Sequence, residues 1–161
     1  MKIAVYGTGT TGLVSSTCYA ELGHDVTLID RDSSIIERLS QGVIPIYEPG
    51  FDEKFHRNVR DGKLHFGTDI KPLLDTIDLV VCASPTPVSS DGTVELKGVA
   101  SLAREIGQTV TKYFAVVIMS TVPVGTTRQL KAALNIELEK RGANIHYDLI
   151  SLPSFLREGS S

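Results

Sequence analysis

The chain has 161 residues, of which 42% are hydrophobic and 22% are charged, and its formal net charge at pH 7 is −3. This composition is typical of a globular protein with a hydrophobic core, and the absence of a basic block argues against a nucleic-acid partner. No apolar run approaches the roughly 20 residues of a membrane span. Because Met1 and Lys2 lead directly into a predicted strand, we expect no signal peptide, no membrane partner and a cytoplasmic location.

The start of the chain predicts a strand, a glycine-rich turn, a helix and a second strand. An apolar run over residues 2–6 precedes Gly7, Gly9 and Gly12, and a second apolar run over 26–29 ends in Asp30. This order is the dinucleotide-binding fingerprint. Gly7 permits the tight exit from the strand, Gly9 lets the backbone approach a pyrophosphate, and Gly12 lets helix and strand pack closely. The turn residues predicted to bind the cofactor are Gly7, Thr8, Gly9, Thr10, Thr11 and Gly12.

Asp30 indicates which dinucleotide is bound. At the end of the second strand, its carboxylate can accept hydrogen bonds from ribose hydroxyls, and it would repel a 2′-phosphate. We therefore expect NAD rather than NADP, with the neighbouring Arg31 as the residue that could soften that preference. A tight turn without a ligand is the alternative, but such a turn would not require an acid at this position.

The rest of the chain alternates between helical and extended patterns. Helices are predicted over residues 13–22, 35–39, 51–60, 70–76, 96–112 and 125–141, and strands over 2–6, 26–29, 64–66, 78–83, 115–119 and 145–151. This alternation predicts an α/β fold with a single domain, a Rossmann-like doubly wound parallel sheet with helices on both faces. Cys18 on a predicted helix and Cys82 on a predicted strand are expected to be buried, reduced thiols. No metal site is predicted.

Polar loops follow several of the predicted strands. Sheets of this class bind ligands at the carboxyl ends of their strands. We therefore expect five loops to converge on one crevice, namely residues 7–12, 30–33, 84–88, 120–127 and 152–158.

Four further segments carry a resemblance to a known family. They are residues 42–50, 84–87 with Asp91 and Gly92, 120–127, and 153–159. In order and spacing they resemble the UDP-glucose/GDP-mannose dehydrogenases, whose N-terminal NAD-binding domain would correspond to the whole chain. The segment from Ser120 to Thr126 looks most like the UDP-glucose 6-dehydrogenase branch.

The resemblance implies an activity and a set of site residues. Family members oxidise the sugar C6 alcohol of a nucleotide sugar to a carboxylate with two NAD, using a cysteine of a later domain as nucleophile. It implies that Thr86, Thr121 and Glu158 contact NAD and that Thr121 also helps to position a water. It further implies that a backbone segment lines the UDP-sugar site, formed by Ser154, Phe155, Leu156, Arg157 and Glu158. Read alone, Thr86 could shape a loop, Thr121 could cap a helix, and Glu158 could be a solvated charge.

Two positions depart from the family pattern. Ser154 stands where the family usually has a glutamate that acts as base toward the deacylating water, so thioester hydrolysis should be slowed. Ile35 stands where the family commonly has lysine or arginine near the adenosine ribose and phosphate, so NAD affinity should be lower.

Several readings stay open at this level. The family's central helix, its sugar-binding domain and its catalytic cysteine and lysine have no counterpart in these 161 residues. The chain is an excised domain or a truncated gene product, and by itself should be inactive. It could instead be a stand-alone, non-catalytic nucleotide-binding module, or the equivalent domain of a UDP-N-acetylmannosamine or GDP-mannose dehydrogenase. An unrelated Rossmann dehydrogenase is disfavoured by the four later segments, and a homo-oligomer is left open.

Overall fold

The computed structural model describes residues 1–157 and residue 159. Its strands are β1 (Lys2–Tyr6), β2 (Asp25–Ile29), β3 (Leu64–Gly67), β4 (Leu79–Cys82), β5 (Phe114–Ile118) and β6 (Tyr147–Ser151). Its helices are α1 (Thr10–Glu21), α2 (Ser33–Ser40), α3 (Phe51–Arg60), α4 (Lys97–Thr109) and α5 (Thr126–Lys140), with a short 3₁₀ turn at Lys71–Leu73.

The six strands form one sheet in the order β3-β2-β1-β4-β5-β6, and every neighbouring pair is parallel. The chain starts in the middle of the sheet, builds outward through β2 and β3, then returns to build the other half. This is the predicted doubly wound arrangement. The order in which strands are added reverses between β1 and β4, which makes that position the topological switch point of the sheet. Ligand sites of such sheets lie outside the carboxyl ends of the strands at that point.

Alternate residues of the central strand belong to two separate hydrophobic cores. Ile3 and Val5 pack with apolar residues of α1, α2 and α3. Ala4 and Tyr6 pack with apolar residues of α4 and α5. Because successive side chains of a strand point to opposite faces, helices cover both faces of the sheet, as the sequence predicts.

The predicted helix over residues 70–76 is wrong. The segment contains a single 3₁₀ turn, in which the Asp69 carboxylate accepts a hydrogen bond from the Lys71 amide at 3.0 Å. The bonds within the segment join residues three apart, such as Thr76 N to Leu73 O at 2.8 Å, and a single bond between residues four apart, from Ile77 N to Leu73 O at 3.0 Å, follows at its end. Pro72 lacks an amide hydrogen, which removes one donor from the segment.

The prediction that both cysteines are buried is correct for Cys82 and wrong for Cys18. Cys82 is buried in β4, whereas Cys18 is exposed on α1. A helix packed on a sheet keeps one side toward solvent, but α1 has apolar and small polar residues all around its circumference. The pattern therefore gives no sign that Cys18 lies on the exposed side. Within the part of the chain that the structure describes, no helix is both long and apolar enough to cross a membrane.

Candidate functional site

Two cavities meet at the carboxyl ends of the central strands. The first, of about 450 Å³, is lined by residues after β1, β2 and β4 and by the start of α4. The second, of about 220 Å³, is lined by the start of α1 and by the loops after β4 and β5. Both are lined by Gly9, Ser84 and Pro85. Four of the five predicted loops thus line one continuous region, and the fifth touches it through the Ser154 amide, which donates to Met119 O at 3.3 Å.

The glycine turn is built so that the chain backbone surrounds an open space. Gly7 has a φ of +115°, and a Cβ there would lie 2.5 Å from the Ala83 carbonyl oxygen. A Cβ on Gly12 would overlap the Gly7 carbonyl oxygen. Gly9 differs, because a Cβ at that position would meet no atom within 4 Å. The space in front of Gly9 is therefore open, while Gly7 and Gly12 close the turn.

This open space faces the first turn of α1. Gly9 is the N-cap of α1 and has no side chain that could accept hydrogen bonds from the amides of that turn. Those amides and the positive end of the helix dipole form a site for an anion such as a pyrophosphate. Thr10 and Thr11 line the second cavity, and Gly7 and Thr8 line the first. With Gly9, five of the six predicted turn residues line the two cavities, whereas Gly12 packs against Gly7 instead.

Asp30 is held in place at the edge of the first cavity. Its Oδ2 accepts hydrogen bonds from the Thr8 amide at 3.1 Å and the Thr8 hydroxyl at 2.6 Å, and its Oδ1 accepts one from the Asp32 amide at 3.1 Å. A carboxylate has about four acceptor positions, so Asp30 keeps capacity for a ribose hydroxyl. Asp32 caps α2, and hydrogen bonds from Ser34 lower the pKa of the Asp32 carboxyl.

Arg31, which also lines the first cavity, is turned toward α4. Its guanidinium forms an ion pair with Glu105 of α4. Burial raises the pKa of Tyr6, and the charge of the Arg31 guanidinium partly opposes that shift. Arg31 and Asp30 are neighbours in sequence, but Asp30 contacts the glycine turn through Thr8 whereas Arg31 contacts α4.

The second cavity is closed by contacts between the loops after β4 and β5. The Thr86 hydroxyl donates to the Thr121 carbonyl oxygen at 2.9 Å, and the buried Ser120 hydroxyl donates to the Ser84 carbonyl oxygen at 2.8 Å. Thr86 and Thr121 therefore lie side by side in the cavity lining. Since α5 has Gly125 as its N-cap, Thr121 does not cap that helix.

Ser154 lies beside this loop pair and is half-buried. Its hydroxyl oxygen accepts a hydrogen bond from the Leu156 amide at 3.3 Å. Phe155, Leu156 and Arg157 are exposed, and Phe155 is 92% exposed. Glu158 lies outside the described residues, so its contact with the cofactor stays a prediction, as do the roles of the other predicted site residues.

The sequence did not identify several residues of the site. Gly98, in the first turn of α4, lines the first cavity, and a Cβ there would overlap the Ser84 hydroxyl. A glycine inside a helical pattern often marks such a close approach. Glu48 is buried, and its Oε1 accepts a hydrogen bond from the Gly159 amide at 2.6 Å, which joins the loop over residues 42–50 to the end of the described chain. The other residues missed are Tyr6 and Met119, whereas Ser84 and Pro85 belong to the loop over residues 84–88 that the sequence predicted for this region.

The shape and chemistry of the region fit a dinucleotide. The open space at Gly9, in front of the first turn of α1, suits a pyrophosphate that would join two nucleoside halves. The cavity on one side of it contains a carboxylate suited to a ribose, and the cavity on the other side contains the two threonines.

Comparison with known proteins identifies the family. The sequence model of the UDP-glucose/GDP-mannose dehydrogenase family, NAD binding domain, matches residues 1–161. The chain is 42% identical to UDP-glucose 6-dehydrogenase TuaD of Bacillus subtilis over 160 residues, which cover 99% of this chain and 34% of that protein. It is 40% identical to UDP-glucose 6-dehydrogenase of Rhizobium meliloti over 164 residues, covering 100% of this chain and 36% of that protein.

Solved structures agree with this assignment. A UDP-glucose dehydrogenase from Pyrobaculum islandicum superposes with a TM-score of 0.86 at 34% identity, covering 99% of this chain and 37% of that one. A GDP-mannose dehydrogenase from Pseudomonas aeruginosa superposes with a TM-score of 0.88 at 29% identity, with coverage of 99% and 37%. The chain thus spans about one third of the length of these relatives. It belongs to the UDP-glucose/GDP-mannose dehydrogenase family, it corresponds to the family's NAD-binding domain, and NAD is its cofactor.

Proposed function

We propose that the chain is the NAD-binding domain of a UDP-glucose 6-dehydrogenase, which converts UDP-glucose and two NAD to UDP-glucuronate. The observation that carries this proposal is the pair of cavities that meet at Gly9, with Asp30 in the first and the Thr86–Thr121 contact in the second. The two relatives at 40–42% identity, both named UDP-glucose 6-dehydrogenase, support the choice of substrate.

In this proposal each cavity has a separate task. The first holds the adenosine half, with the Asp30 carboxylate accepting hydrogen bonds from the ribose, and the amides at the start of α1 hold the pyrophosphate. The second holds the nicotinamide half beside Thr86 and Thr121. When bound, NAD supplies the hydride acceptor for the sugar oxidation. Thr121 positions a water, and the backbone from Ser154 onward, with Glu158, faces the UDP-sugar and the cofactor.

The proposal also assigns the covalent step to another part of the parent enzyme. Burial raises the pKa of the Cys82 thiol, so Cys82 is a poor source of a thiolate nucleophile. Cys18 is exposed on α1, outside the residues that line the two cavities. We infer that the 161 residues alone do not oxidise UDP-glucose. Steady NADH formation from the purified chain and UDP-glucose would contradict this inference.

A second candidate is a stand-alone nucleotide-binding module without catalysis. Two residues favour it, since Ser154 cannot act as a base near neutral pH and Ile35 cannot form a charge-assisted contact with the cofactor. A third candidate is the same domain of a GDP-mannose or UDP-N-acetylmannosamine dehydrogenase. Solved structures of enzymes with these two names resemble the chain and support this candidate. For each candidate we propose a cytoplasmic protein, and for the enzymes a UDP-sugar or GDP-sugar partner and a homo-oligomer.

Calorimetric titration with NAD and NADP tests the nucleotide site. We expect NAD to bind more tightly than NADP, and we expect Asp30→Ala to weaken NAD binding by about 1–3 kcal/mol because a charged hydrogen-bond acceptor is lost. Asp69→Ala is a matched control, because that carboxylate also caps a backbone amide but lies at the 3₁₀ turn. Tighter binding of NADP than NAD, or equal effects of the two variants, would contradict the assignment of Asp30.

A further inference from the structure

The first cavity contains a basic residue that the preference for NAD does not explain. An arginine near the end of the second strand is the feature by which dinucleotide-binding domains accommodate a 2′-phosphate. Arg31 occupies such a position, next to Asp30 and in the lining of the cavity. If its guanidinium were free to face the ribose, it would offset the repulsion between Asp30 and a 2′-phosphate.

The structure shows where that guanidinium is held. It forms an ion pair with the Glu105 carboxylate, and the Glu105 side chain is only 12% exposed while that of Arg31 is 57% exposed. Tyr6, which is 5% exposed, lines the same cavity as Arg31. Asp30 is bound instead to Thr8 in the glycine turn. Arg31 is therefore held toward α4 by the Glu105 carboxylate.

We propose that Glu105 is a specificity-determining positioning residue, which holds Arg31 against α4 and thereby keeps it from binding a 2′-phosphate. The inference rests on the nucleotide site proposed above. Glu105 itself is not among the residues that line the first cavity, so it acts through Arg31. An arginine presents paired donors that bind phosphate strongly, and in this structure Nη2 of Arg31 is paired with a carboxylate oxygen of Glu105.

The test compares the ratio of NAD to NADP dissociation constants, measured by calorimetry on the 161-residue chain. Glu105→Gln keeps the size of the side chain but removes the charge that holds Arg31. We expect NADP to bind about tenfold more tightly to this variant than to the original chain, with NAD binding little changed. A purely structural role of Glu105 would weaken both nucleotides and leave their ratio unchanged.

Two further variants make the comparison specific. Arg31→Gln combined with Glu105→Gln should restore the original ratio, because the gain in NADP binding requires the arginine. Glu137→Gln is the matched control, since Glu137 is also 12% exposed and also forms an ion pair, with Lys140 on α5 at 2.7 Å. We expect this control to leave the ratio unchanged.

A measurement on the original chain does not depend on the folding of any variant. If Asp30 dominates the field at the 2′-position, added salt screens a repulsion, and the affinity for NADP relative to NAD rises with salt. If Arg31 contacts the 2′-phosphate, the relative affinity falls with salt, and the inference is wrong. An unchanged ratio of NAD to NADP dissociation constants in Glu105→Gln would also overturn the proposed role of Glu105, while leaving the nucleotide site intact. Failure of the original chain to bind either nucleotide would instead overturn the nucleotide site on which it rests.

Discussion

At the scale of single residues, Ile35 bears on how strongly the proposed adenosine side of the site would hold NAD. It lies on α2 and lines both the first cavity and a neighbouring cavity of about 150 Å³, which Arg38 also lines. An apolar side chain at this position adds contact area but no hydrogen bond. The affinity for NAD then depends on Asp30 and on the backbone amides of α1.

Ile35→Lys should strengthen NAD binding. An ammonium group near the phosphates adds an attraction of roughly 0.5–1 kcal/mol at a partly exposed position, which lowers the dissociation constant by a few-fold. The gain should shrink at high salt because the charges are screened. Ile36→Lys, which changes the next residue of α2, is the matched control for added charge. A gain of the same size in both variants, measured by calorimetry, would show that net charge rather than position is responsible.

Ser154 bears on a different step, the release of the acid product from a parent enzyme. Oxidation to a thioester requires a hydride acceptor and a cysteine, neither of which position 154 supplies. Hydrolysis of the thioester requires a base to activate water, which typically contributes about 10²–10⁴-fold. The Ser154 hydroxyl can orient a water but cannot take its proton, and Thr121 has the same restriction.

In a full-length parent with this serine, acyl-enzyme should therefore accumulate after a burst of NADH. Ser154→Glu should speed breakdown of the adduct by about 10²-fold, with the burst nearly unchanged, as followed by rapid-quench mass spectrometry. Ser154→Gln serves as the control, because it has the same length without a basic carboxylate. If the serine enzyme shows neither burst nor adduct, or if glutamate and glutamine behave alike, another group is the base.

At the scale of elements, the turn between β1 and α1 separates the requirements of folding from those of binding. Gly7 and Gly12 are required by close backbone contacts, whereas Gly9 faces open space and has an extended conformation, φ −67° and ψ 176°, that any residue can adopt. The same residue type thus has two different reasons to be present in one turn.

Alanine substitution should reveal this difference. Gly12→Ala places a methyl group against the Gly7 carbonyl oxygen, and we expect it to lower the free energy of unfolding by about 2 kcal/mol or more. Gly9→Ala should leave stability nearly unchanged but weaken NAD binding about tenfold or more, because the methyl group enters the space proposed for the pyrophosphate. Chemical denaturation and calorimetry measure the two effects. A large loss of stability in Gly9→Ala would contradict the separation.

The elements also show how far sequence reasoning extends. Local patterns predicted the glycine turn and the α3 helix, because a turn and a helix are defined by neighbouring residues. The pattern over residues 70–76 failed because hydrophobic spacing does not distinguish one 3₁₀ turn from an α-helix. The predicted burial of Cys18 was wrong because α1 has no polar stripe that would mark its exposed side. The pairing of Arg31 with Glu105 was not predictable, since it joins residues far apart in the chain whose proximity depends on the packing of α4 against the sheet.

At the scale of the whole molecule, the family resemblance and the topology lead to the same conclusion from independent features. Four loop segments indicate the family, and the sheet places three of them after β4, β5 and β6, at the carboxyl ends of neighbouring parallel strands. The chain covers about one third of the length of its relatives, and the central claim is therefore about a domain. We propose that the two cavities of this domain hold the two halves of one NAD molecule, on either side of Gly9.

An amide-resolved NMR titration of the chain with NAD and, separately, with AMP tests this claim most directly. The account predicts that AMP shifts the amide signals of Thr8 and Asp30, around the first cavity, and leaves that of Thr121 unchanged. NAD should shift all three, because its second half reaches the loops after β4 and β5. If NAD and AMP shift the same set of signals, or if NAD leaves the signal of Thr121 unmoved, the second cavity does not hold the nicotinamide half and the account is contradicted.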